Sequence, residues 1–174
     1  MKKMALIPVL FLTVAAASPA LFTVAETGRG YGTLAAAVQA VGEGRGTVVI
    51  APGTYRQCAV QDAGVVTYRA AQAGTVVFDG AICEGKAALV LRGQGARVEG
   101  LTFQNLRVPD GNGAGIRLEQ GDLTVVGSMF RSSEEGILTH DDPAATITIE
   151  GSTFRRLGRC DRDLDCAHGI YVGD

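Results

Sequence analysis

The sequence predicts an all-β solenoid, a stack of short-stranded coils, with a short helix at its amino-terminal end. Three observations carry this. Composition comes first: 24 glycines, no tryptophan and many valines favour short strands broken by tight turns over a helical bundle. An internal repeat comes second, with a period in the range typical of solenoids, where one coil cannot bury its apolar face alone. The third is a single good helical stretch ahead of the repeat.

That helix is read in "TLAAAVQAV". Thr33 can cap its start, Leu34, Ala37, Val38 and Val41 fall on one face, and Gly42 supplies a stop.

The repeat has two interleaved parts. "VEGLTFQNL" from Val98, "VVGSMFRSS" from Val125 and "IEGSTFRRL" from Ile149 each keep a β-branched residue, a glycine two positions on and a phenylalanine three beyond. Gly100, Gly127 and Gly151 stand 27 and 24 residues apart. "GIRL" from Gly115, "GILT" from Gly136 and "GIYV" from Gly169 form the second set. Stacked coils would give three interior columns: Val98, Val125 and Ile149; Phe103, Phe130 and Phe154; and Ile116, Ile137 and Ile170. Val172 is expected inside with Ile170. Strand alternation then points Arg117, Leu138 and Tyr171 outward, and the glycines would turn the corners.

The array resembles the right-handed parallel β-helix of the pectate-lyase-like superfamily. The segment "TLAAAVQAVGEGRGTVVIAPGTYRQ" is similar to the opening of those proteins, a capping helix, a first strand and an "APGTY" turn. The likeness runs from about Tyr31 to Asp174. It implies a right-handed parallel β-helix and leaves the reaction open, because the superfamily holds lyases, hydrolases, esterases, epimerases, tailspikes and adhesins. The capping helix would cover apolar surface and strand edges that otherwise invite aggregation. The chain stops at Asp174 without such a cap, so the reading expects either a carboxy-terminally truncated chain or end-to-end assembly with another copy.

Residues 1–20 read as a signal peptide: Lys2 and Lys3, an apolar run from Met4 to Ala17, then Ser18 and Ala20 before cleavage. Residues 21–47 are then an opening segment with the capping helix, and 48–174 the β-helix coils. The apolar run is too short for a comfortable membrane span, and no second stretch approaches that length. The expected product is exported, periplasmic or extracellular. A net charge of −2, lowered further by loss of two lysines, offers no basic footprint for nucleic acid. Four cysteines in an exported chain point to disulfides. Cys160 with Cys166 leaves Cys58 with Cys83, although the other two connectivities remain open, and no pair has structural-zinc spacing.

Insertions mark the working side of a solenoid. From Phe103 to Gly115 is 12 residues, from Phe130 to Gly136 is 6, and from Phe154 to Gly169 is 15. The floor "RSSEE", Arg131 to Glu135, therefore lies between the walls "LRVPDGNGA" and "LGRCDRDLDCAH". Such a groove suits a polysaccharide, with Arg131, Glu134, Glu135, Arg117 and Arg155 as candidate binding residues and Lys86 outside it. The loop Asp161, Asp163, Asp165 starts like an EF-hand but has Cys166 where the glycine belongs and Val172 where the last acid belongs. A looser calcium site is left open, with Arg155, Arg156, Arg159 and Arg162 as the competing source of neutralising charge.

Catalytic candidates are His168, before the last strand; Asp165, as the neighbouring acid; Tyr171, outward from the same sheet; and His140, placed at the corresponding end of the preceding strand beside Asp141 and Asp142. A histidine with a carboxylate can abstract the proton next to a uronic acid carboxyl group while arginine neutralises the enolate. The expected function is action on an acidic polysaccharide by lyase or epimerase chemistry, or its binding by a non-catalytic scaffold.

Overall fold

The computed structural model describes residues 20–158, 160 and 166–173. The chain opens with a hairpin, β1 (Phe22–Val24) and β2 (Arg29–Tyr31), followed by helix α1 (Leu34–Val41). Five coils of three strands follow. They are β3 (Arg45–Ile50), β4 (Gly53–Tyr55) and β5 (Ala59–Gln61); β6 (Val65–Ala70), β7 (Val76–Asp79) and β8 (Ala87–Leu91); β9 (Gly95–Glu99), β10 (Leu101–Gln104) and β11 (Ala114–Leu118); β12 (Asp122–Val126), β13 (Met129–Arg131) and β14 (Glu135–Thr139); and β15 (Ile147–Glu150), β16 (Thr153–Arg155) and β17 (Ile170–Tyr171).

Each coil gives one strand to each of three sheets. Sheet A runs β15-β12-β9-β6-β3-β1-β2, sheet B β16-β13-β10-β7-β4, and sheet C β17-β14-β11-β8-β5. Strands of successive coils pair in parallel, and among the described strands only β1 makes antiparallel pairings, with β2 and with β3. The result is an all-β, solenoid-like stack whose core lies between the sheets.

The interior columns have the register that the repeat predicts. Val98 pairs with Val125 and Val125 with Ile149; Phe103, Phe130 and Phe154 align; Ile116, Ile137 and Ile170 align. The aromatic column extends further than the three repeats disclose. It starts at Phe22 and Tyr55, reaches Phe78, and continues as near-parallel stacks at centroid distances of 5.6, 5.1 and 4.8 Å through Phe103 and Phe130 to Phe154. Such pairs add roughly 0.5–1.5 kcal/mol beyond the area they bury. In the last described coil, covered from one side only, Ile170 and Val172 are 40% and 59% exposed rather than interior.

The corners have their own chemistry. Gly100, Gly127 and Gly151 join sheet A to sheet B with φ of 68°, 54° and 55°, a region costly to side chains. Behind sheet B the same left-handed turn recurs at Gly80, Asn105, Ser132 and Arg156, which opens the corner that carries the long loops.

The amino-terminal end is covered by two elements, where sequence reasoning expected the helix alone. Thr33 caps α1 by accepting from the Ala36 N–H, and Leu34, Ala37 and Val38 are buried. The helix packs on β5, β1 and β3, while the hairpin pairs with β3 and extends sheet A. The first parallel strand begins at Arg45, ahead of the boundary placed at 48.

Both expected disulfides form, Cys58–Cys83 and Cys160–Cys166. The first joins the corners before β5 and β8, with Cα atoms 5.5 Å apart and a sequence separation of 25. Closing a loop of that size removes about 3 kcal/mol of unfolded-state freedom. Cys58→Ser/Cys83→Ser should therefore lower the urea midpoint, with a loss at least as large when wild type is reduced, since reduction also opens Cys160–Cys166.

Candidate functional site

The outer face of sheet C carries the candidate site. Register sets Val60, Val90, Arg117, Leu138 and Tyr171 in one outward column. Ala87, Ala114 and Glu135 form a second. Ala87, Val90 and Ala114 are fully buried and pack with Val60 and Leu138 in a cluster separate from the main core, so this part of the face is shielded from water.

Simple alternation does not place Glu135 here. Ala114 packs in the outer cluster and Ile116 in the core, although residues two apart in a strand share a face. The intervening glycines explain the change. A Cβ on Gly115 would lie 2.6 Å from the Phe130 ring, and one on Gly136 2.9 Å from the Phe154 ring. Without side chains the backbone presses onto the aromatic column, and the residue before each glycine swings outward. Sequence inspection saw these glycines as strand markers and missed this consequence.

Glu135 is 2% exposed. One oxygen, Oε1, accepts from the His168 main-chain N–H at 3.0 Å. The other, Oε2, is buried with no hydrogen-bond partner, and Arg117 Nε is in the same condition. Burial pushes the Glu135 carboxyl above its ordinary pKa, against the opposing influence of His168 and Arg117, while the neighbouring Glu134 raises it further. Both orphaned atoms belong to residues lining a cavity of about 240 Å³ with Asn112, Leu138, Cys166, His168 and Tyr171. A second cavity of about 240 Å³, lined by Gly85, Lys86, Asp110, Asn112, Arg117 and Leu138, shares three of those residues. The two form one groove running across the strands.

Lys86 is thus beside the groove, not outside it. Its ammonium sits 2.6 Å from Glu119 Oε1, and Arg92 Nε holds the other carboxylate oxygen at 2.6 Å. Arg92 also pairs with Glu84. Burial pushes Glu119 up, but the hydrogen bonds from Lys86 and Arg92 outweigh it and keep the carboxyl below its ordinary pKa. Lys86 ends the corner before β8, a coil whose sequence lacks the Gly-Ile marker, which is why the repeat did not disclose it.

The other sequence candidates separate. His168 and Tyr171 do meet, rings 5.6 Å apart, and Tyr171 is 42% exposed at the groove. His140 follows β14 whereas His168 precedes β17; they occupy opposite strand ends, and the exposed His140 lines neither cavity. Glu134 does not face the groove. It is 1% exposed and its Oε2 accepts from the main-chain N–H groups of Val108 at 2.8 Å and Gly113 at 3.0 Å. Arg131 and Arg155 are register neighbours on sheet B, a different sheet from Arg117 and Tyr171. Arg131 Nε donates to Gln104 Oε1, and Gln104 donates in turn to Asp79. Asp165, with Asp161 and Asp163, lies outside the described residues, as does the expected signal peptide up to residue 19. Among the described residues no group of three His, Cys, Asp or Glu side chains is placed to hold a metal ion, and no helix is long and apolar enough to cross a membrane.

Comparison of the chain with family models, with curated proteins and with solved structures returned no match.

Proposed function

We propose that this chain is an exported, right-handed β-helix of the pectate-lyase-like type that binds an acidic polysaccharide along the outer face of sheet C and abstracts a proton beside a uronate carboxyl group. One observation carries the reading: Arg117 Nε and Glu135 Oε2, on residues lining the same groove, are buried without a hydrogen-bond partner, Arg117 Nε having only a long ion pair to Glu119 Oε1 at 4.0 Å. Buried polar groups are nearly always satisfied, so such a pair is a candidate for completion by a ligand. A donor and a carboxyl oxygen on residues that line one groove suit a sugar acid. The groove's length across coils suits a chain more than a compact metabolite.

In this reading Arg117 binds the uronate carboxylate and stabilises the charge that develops on it as the neighbouring C–H proton leaves. The His168 imidazole takes that proton, and Tyr171 supplies one. Delivered to the departing glycosidic oxygen, it completes elimination; delivered to the carbon from the opposite side, it completes epimerisation. The Cys160–Cys166 disulfide anchors the wall that carries His168.

A binding-only reading also has an observation in its favour: the contact between His168 and Glu135 uses the main-chain N–H, not the imidazole, so Glu135 does not orient the ring as a catalytic partner would. Arg117→Ala decides the shared part. Losing a charged hydrogen bond costs about 1.5–3 kcal/mol, so the Kd for a hexuronate should rise roughly ten- to a hundredfold, measured by calorimetry. Unchanged affinity would remove the groove from consideration. Turnover, read from unsaturated or epimerised products, separates the two readings, and His168→Ala should abolish it while sparing affinity.

A further inference from the structure

We infer that Glu135 binds the ligand in its protonated form, so that the groove takes up an acidic sugar together with a proton. The inference rests on the acidic-glycan reading and deepens it. A carboxylate that reaches Arg117 Nε enters the cavity that Glu135 also lines, where Glu135 Oε2 has no hydrogen-bond partner of its own. Two ionised carboxylates there would repel each other in a setting that burial makes poorly screened. A protonated Glu135 removes the repulsion and turns Oε2 from an acceptor into a donor. The bound carboxylate is then held by two donors, one from Arg117 and one from Glu135, and both orphaned atoms are satisfied.

The surroundings favour this state. Three charged or titratable groups act on Glu135: Arg117 from β11, His168 from the segment before β17, and Glu134 from the same corner. The two basic groups favour ionisation, yet burial prevails and holds the Glu135 carboxyl above its ordinary pKa in the free site. The Oε1 atom is held by the His168 N–H, leaving Oε2 as the position for the proton. A carboxylate ligand adds negative charge and must push the equilibrium further in the same direction.

The sign follows. Between the pKa of Glu135 in the free protein and its higher pKa in the complex, ligand binding takes up a proton, and Kd rises by up to about tenfold per pH unit. Above that window the dependence on Glu135 flattens, and below it the dependence flattens until the ligand's own carboxyl groups protonate.

The test uses carbon-13-labelled glutamate in the full chain, with the Glu135 carboxyl signal assigned by its loss in Glu135→Gln. Titrations are run free and saturated with hexamers of galacturonate, mannuronate and glucuronate, and with a carboxyl-reduced hexamer as neutral control. The expected result is a Glu135 pKa at least one unit higher in the acidic complex. Glu135→Gln, which keeps a neutral donor, should bind at pH 7 at least as tightly as wild type and with a flat pH profile. Binding of an acidic hexamer with an unchanged or lowered pKa overturns the inference and leaves the acidic-glycan reading standing. A tenfold loss of affinity in Glu135→Gln, or equal affinity for the neutral hexamer, overturns the inference as well. Failure of every acidic hexamer to bind removes both.

Discussion

Phe130→Ala should cost about 3–5 kcal/mol of stability, the range for deleting a large buried aromatic ring. Phe130 is 1% exposed and stacks on both sides, 5.1 Å from Phe103 and 4.8 Å from Phe154. Its removal empties a link between three successive coils. The Gly115 backbone also rests against this ring, so the outer face of sheet C loses its support. In a stack where each coil contacts only its neighbours, stability is carried by coil interfaces. The fourth and fifth coils should therefore open before the first three, seen by hydrogen exchange as lost protection in β12–β17 with β6–β8 still protected. Phe154→Ala is the control: that ring is only partly buried and stacks on one neighbour, and its removal should cost clearly less. Equal costs, or one global transition in both variants, would refute a coil-by-coil account.

The fold was legible where side chains repeat and hidden where the backbone alone decides. The three columns of the solenoid follow from β-branched residues and phenylalanines at fixed offsets, and every predicted alignment appears in the register. The first two coils were less visible because their aromatic positions vary: Tyr55 and Phe78 fill the column without the glycine pattern around them. The hairpin β1–β2 offers two three-residue strands, shorter than any periodicity that sequence can display. It forms because sheet A otherwise ends at β3, and its pairing there satisfies an edge.

The site was legible as a side of the molecule but not as a set of atoms. Insertion lengths located the corner between sheets B and C, and alternation turned Arg117 and Tyr171 outward. Neither argument knows that a corner separates residues four apart. Arg131 ends β13 and Glu135 begins β14, so a contiguous "RSSEE" is divided between two sheets, with Ser133 and Glu134 buried in the turn. Burial likewise separates two adjacent acids that sequence reasoning gave one expected use: Glu134 Oε2 is bonded to the wall loop, and Glu135 Oε2 is left without a hydrogen bond. Sequence gives both residues the same letter, and only the glycine-driven change of face separates them.

Glu134→Ala should therefore act on the groove without touching it. The Glu134 Oε2 atom receives the Val108 and Gly113 N–H groups at 2.8 and 3.0 Å, at opposite ends of the loop that supplies Asp110 and Asn112 to the two cavities. The substitution strands two buried donors and removes charge-assisted bonds, together about 2–4 kcal/mol. Because the Leu106 and Gly158 main chains also bond to the Glu134 backbone, at 3.1 and 2.9 Å, the corner itself should survive. The loss then falls on the wall, and exchange of the Val108 and Gly113 amides should accelerate far more than that of core strands. Glycan affinity should drop although no ligand contact has been removed, since Asn112 lines both halves of the groove. Glu134→Gln retains an acceptor oxygen for one donor and should recover part of both effects. If Glu134→Ala weakened binding while leaving the two amides protected, the effect would not run through the Val108–Gly113 loop, and the role assigned to the Glu134 carboxylate would be wrong.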